Sequence, residues 1–98
     1  MPANINYAVA PGEHLEEWIE SSATSLSTVA SALGCTEIWV RALIRGAVPL
    51  TEPVAVRLEH LTGTPAYIWM RFEHGYQDDL SRLRIDRPTT ENLTNANL

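Results

Sequence analysis

Residues 36–45, TEIWVRALIR, bring together side chains that can read or grip another macromolecule. Glu37, Ile38, Arg41, Ala42 and Arg45 recur at helical spacing, which gathers them on one broad face. Two arginines on such a face could meet guanine edges or phosphates. Ile38 and Ala42 could touch thymine methyls, and Glu37 could accept from a cytosine amino group, a less common contact. Trp39 has two open readings: a partial core residue packing on Leu43, or an exposed anchor. An exposed Trp beside an exposed Ile would also suit a protein interface.

The elements that must position these residues follow from periodicity and caps. Pro11 and Gly12 open a helix over 11–22, with Leu15, Trp18 and Ile19 on one stripe and Glu13, Glu16, Glu17 and Glu20 largely opposite. Ser25 caps a short helix over 26–33, which Gly34 ends in a left-handed turn. Thr36 caps a third helix whose inner stripe is Val40, Leu43, Ile44 and Ala47, and Gly46 ends it. Thr51 caps a fourth helix, with Val54, Leu58 and Leu61 facing inward and Gly63 at its end. Thr64 and Pro65 open a fifth, striped by Ile68, Trp69, Phe72, Tyr76, Leu80 and Leu83. The expected organisation is an arm over 1–10, a five-helix domain over 11–85 and a disordered tail over 86–98, where polar DRPTTENLTNANL loses periodicity.

The second and third helices, joined by so short a turn, form a helix-turn-helix. Ala30 suits the close crossing of the pair, and Cys35 reads as a small buried hydrophobe rather than a reactive thiol. One cysteine allows neither an internal disulfide nor a cysteine zinc knuckle, so a reducing cytoplasm is the expected home. No apolar run approaches the ~20 residues of a membrane helix. The opening stretch lacks the basic residue and apolar run of a signal peptide.

Charge argues mildly against a nucleic-acid partner. The net charge is −5, there is no lysine, and all seven arginines lie from Arg41 onward. Yet 34–63 carries three Glu against three Arg, so positive charge can still collect on one face. His14, His60 and His74 fall on three different helices and read as surface or capping residues rather than a metal site. No phosphate loop or nucleophile–base pair is visible, and neither an enzyme nor a cofactor is expected.

LSTVASALGCTEIWVRALIRG resembles the core of the Xre helix-turn-helix family, the Cro and phage-repressor type. PGEHLEEWI resembles the PGE-x-L opening of HigA-type antitoxins, and LTEPVAVRLEHLTGTPAYIWMRFEHGY resembles their following segment. Thr51, Ala55, Arg57, Leu58, Gly63, Thr64, Trp69 and Tyr76 stand at the matching places. The resemblance runs from about Pro11 to Leu83. It implies an all-α Xre-like domain that binds operator DNA as a homodimer, represses its own operon and neutralises a RelE-like toxin. The candidate DNA contacts are then Ser27, Thr36, Glu37, Ile38, Trp39, Arg41, Ala42 and Arg45. The candidate dimer contacts are Trp69, Phe72, Tyr76 and Leu80, because the last helix carries more stripe than a small bundle needs to bury.

The departures from that pattern, with the acidic balance and the apolar Ile38–Trp39 edge, leave open a second possibility, a protein-interaction module that kept the fold and lost base reading. Leu26 stands where a phosphate-binding polar residue is common. Glu37, Ile38 and Trp39 stand where Arg, Ser or Thr is common, and Arg45 where Asn is common. Glu73 replaces Gln, and Gln77 replaces Asp.

Overall fold

A computed structural model describes residues 8–84 and Arg87. Five helices follow one another: α1 (Pro11–Ser22), α2 (Leu26–Leu33), α3 (Glu37–Ile44), α4 (Glu52–Thr62) and α5 (Ala66–Leu83). No strand occurs among the described residues. The expected arm and tail lie, apart from residues 8–10 and Arg87, outside them.

Local chemistry sets the boundaries. Pro11 takes the first position of α1, where its missing N–H costs nothing, and Glu13 reaches back to accept from the Ala10 N–H at 3.4 Å. Ser25 Oγ accepts from the Thr28 N–H at 3.1 Å and starts α2. Gly34, at φ +70°, ends it in the left-handed region that a side chain would strain. Thr36 Oγ1 accepts from the Trp39 N–H at 3.1 Å and starts α3. Thr51 occupies the cap position of α4, but its side chain makes no capping bond. α3 stops at Ile44, earlier than Gly46 implies, with Arg45 as its cap. The start of α5 is capped from a distance: Glu59 Oε1 on α4 accepts from the Ala66 N–H at 3.0 Å.

The inward stripes meet in one core containing Leu15, Val29, Leu33, Val40, Leu43, Leu58 and Trp69. α2 packs on α3 and α4, α1 on α3 and α5, and α4 on α5. The approach of α1 to the end of α3 is so close that a Cβ on Gly12 would collide with the Leu43 carbonyl oxygen and Ile44 Cα. Here glycine is needed for space. No described helix is long and apolar enough to cross a membrane.

Candidate nucleic-acid interface

The short turn at Gly34 sets α2 and α3 as a helix-turn-helix, and burial of Val40 and Leu43 turns Glu37, Ile38 and Arg41 outward. Glu37, Arg41 and Arg45 are exposed, and Ile38 is 62% exposed. Ser27, in the first turn of α2, and Thr36 are exposed as well. The Thr36 oxygen is engaged in its cap, which leaves its hydroxyl proton free to donate.

Two expectations for this face change. Ala42 is 0% exposed and cannot reach a base edge. Helical spacing puts it beside Ile38 and Arg41. However, α1 packs against α3, and the chain beyond Ile44 folds back, with the Ala47 N–H donating to the Ala42 carbonyl at 2.8 Å. That flank is closed. Trp39 is half-buried against the core, which decides between its two readings in favour of a partial core residue. Cys35 also packs on the core, and burial pushes its thiol pKa up, against a reactive thiolate.

Beside the two arginines runs a cleft of about 380 Å³. Ile19, Leu26 and Ile44 line it together with Arg41 and Arg45 from α3 and Glu16 and Glu20 from α1. The acidic helix is therefore not remote from the basic edge but borders it. Neither Arg41 nor Arg45 enters an ion pair among the described residues.

A polar cluster behind α3 was not legible in the sequence. Glu73 is 1% exposed. Its Oε1 accepts from the Leu50 N–H at 3.3 Å, and its Oε2 from Gln77 Nε2 at 2.7 Å and Arg87 Nη2 at 2.5 Å. Arg87 Nη1 donates to the carbonyls of Gly46 and Val48 at 3.0 and 3.1 Å. The same guanidinium lies over the Tyr76 ring, 5.0 Å from its centroid. Burial raises the Tyr76 pKa; Arg87 opposes the shift, while Glu73 and Glu13 add to it. One signal was available: the unusual Glu73 and Gln77 stand four residues apart, the spacing at which helical side chains meet. Nothing marked Arg87.

The α5 stripe is spent differently from expectation. Trp69 and Tyr76 are buried within their own chain, so they cannot also be dimer contacts. Phe72 is half-buried, stacked on His14 with ring centroids 3.9 Å apart and edge-on to Trp69. Leu80 is half-buried. Besides Ile38, the exposed large apolar side chains among the described residues are Tyr67, 65% exposed, and Val56 on α4. With Met70, Arg71 and His74 they line a cleft of about 470 Å³. His60 and His74 are exposed, and no group of three or more potential metal ligands occurs among the described residues.

The chain is a five-helix, helix-turn-helix protein, and solved structures of that fold match it along most of its length. An addiction-module antidote protein of a HigA family from Coxiella burnetii is 22% identical, with a TM-score of 0.71, over 94% of this chain and 96% of that one. Pseudomonas aeruginosa PA4674, solved in complex with its operator DNA, is 25% identical, with a TM-score of 0.69, over 76% of this chain and 82% of that one. The antitoxin HigA of the same organism, solved with the higBA promoter, is 21% identical, with a TM-score of 0.69, over 92% and 89%. The fold is that of HigA-type antitoxins. No family model and no curated protein matches the chain.

Proposed function

We propose that this chain is a sequence-specific DNA-binding regulator of the HigA antitoxin type. The observation that carries the reading is the exposed edge of α3. Arg41 and Arg45 stand outward there, with no ion pair among the described residues, on a fold shared with a protein solved on its operator. Ser27, Thr36, Glu37 and Ile38 flank the arginines, and α3 enters the major groove. The protein represses its own operon, works in the cytoplasm without a cofactor or metal, and neutralises a RelE-like toxin. It does so as a homodimer, since two-fold pairing supplies a second half-site about 34 Å away. Phe72 and Leu80, joined by Val56, Tyr67 and Met70, are the contacts we assign to the second copy, Trp69 and Tyr76 being buried within their own chain.

The deciding experiment is fluorescence anisotropy against the duplex upstream of the gene and a scrambled duplex, each at two salt concentrations. Tight binding to the upstream duplex alone, weakening steeply with salt, is expected. Equal binding to both duplexes, or none, refutes base reading. Co-expression with the neighbouring gene tests the antitoxin role, and growth arrest that this chain does not relieve refutes it.

A second reading, a protein-interaction module, draws on Ile38 and on the cleft that pairs an apolar floor with Glu16 and Glu20. Binding carried by Ile38 and the apolar floor responds weakly to salt, and no preference for the upstream duplex at either salt, with the protein folded, favours this reading.

A further inference from the structure

We infer that Arg87 and Glu73 are positioning residues for the reading helix: Arg87 clasps the chain that leaves α3 and holds its last turn in place. The inference rests on the proposed DNA reading and adds residues that lie behind the interface rather than in it.

The connection over 45–51 is where α3 must be oriented, since Arg45 is its cap and Arg41 lies one turn earlier. Backbone bonds to α3 hold its first residues, and two side chains hold three further backbone atoms. The buried carboxylate of Glu73 takes the Leu50 N–H, and the Arg87 guanidinium takes the Gly46 and Val48 carbonyls. The ion pair between them closes the ring at 2.5 Å, and Gln77 satisfies the carboxylate further. Gly46, at φ +77°, is pressed against Tyr76, where a Cβ would lie 2.5 Å from the phenolic oxygen. The Tyr76 ring is itself covered by Arg87.

A planar guanidinium suits this place because its two terminal nitrogens serve different partners. Nη1 bridges two carbonyls while Nη2 meets the carboxylate. A lysine ammonium is one point and cannot reproduce that fork. A bidentate guanine contact from Arg45 tolerates misplacement of only about 0.5 Å, so slack in the connection reaches the interface directly.

The test compares the full chain with Arg87→Ala, Arg87→Lys and the double variant Glu73→Gln/Arg87→Ala, which leaves no unpaired buried charge and keeps an acceptor for the Leu50 N–H. Backbone hydrogen exchange is followed together with anisotropy on the upstream duplex over a salt series. In Arg87→Ala and the double variant, amides over 46–50 should exchange about ten times faster, those of α1 being unchanged. Affinity should fall several-fold with the salt slope preserved, and Arg87→Lys should recover only part of both. Unchanged exchange over 46–50, with duplex preference intact, overturns the clasp alone. A salt slope smaller by about 0.9 overturns it differently, by showing that Arg87 touches a phosphate itself. Absence of duplex preference in the unaltered chain overturns the DNA reading, and the positioning role with it.

Discussion

At the scale of single residues, neighbours on one helical face have opposite consequences. Arg45→Ala removes a side chain that is exposed and has no ion pair among the described residues. It should weaken operator binding by about 1–3 kcal/mol with the melting temperature unmoved. An unchanged dissociation constant at fixed salt would remove Arg45 from the interface. Ala42→Leu should behave in reverse. It forces bulk into a closed site and should destabilise the fold by about 1–3 kcal/mol, read from chemical denaturation. Cys35 and Tyr76 give a pH dependence. Both have folded pKa values raised by burial, so the folded state keeps its protons longer than the unfolded one. Their contribution is complete below the unfolded values, about 8.5 for a thiol and 10 for a phenol, and is lost as pH rises through the folded ones. Stability should therefore decline on the alkaline side. A thermal midpoint that stays level between about pH 8 and 11 would contradict this.

At the scale of elements, caps and close approaches decide how α3 is presented. Thr36→Ala removes the bond to the Trp39 N–H that starts α3 and should cost about 1 kcal/mol. Gly12→Ala should cost more, because its Cβ meets backbone at the end of α3, and backbone has no alternative rotamer. The expected result is unfolding, or a melting temperature lower by ten degrees or more; a variant as stable as the parent would show that α1 can shift freely. The five helices themselves follow from ordinary signals: Pro11 at a first turn, Ser25 and Thr36 as caps, and Gly34 and Gly63 in left-handed ends. Thr51 has the same type and place but forms no cap bond, so residue type gives the position of a boundary more dependably than its chemistry.

At the scale of the whole molecule, Arg87 ties one position of the segment 86–98 to the stability of the domain. Ending the chain before Arg87 leaves Glu73 buried without its counter-charge. Arg87 is itself partly exposed, which tempers the loss to on the order of 2 kcal/mol. For a domain of this size that lowers the melting temperature by roughly 10 °C. Equal melting temperatures for the full and shortened chains would show the pair to be energetically idle.

The sequence by itself determined the helices, their limits within a residue or two, the inner stripes and the helix-turn-helix. All of these follow from signals within a few residues: caps, glycine turns and the 3.6-residue period. It also showed which side chains could chemically serve an interface. Only the tertiary structure decided which of them are free to do so. Periodicity gives the direction in which a side chain leaves its own helix, and says nothing of what another element lays over it. That is why Ala42, Trp69 and Tyr76 proved to be covered while Ile38, Arg41 and Arg45 did not. The same limit hid the pairing of Glu73 with Arg87. Fourteen positions separate them, and an ion pair at that distance leaves no periodic trace. It exists because Arg87 lies against the connection behind α3.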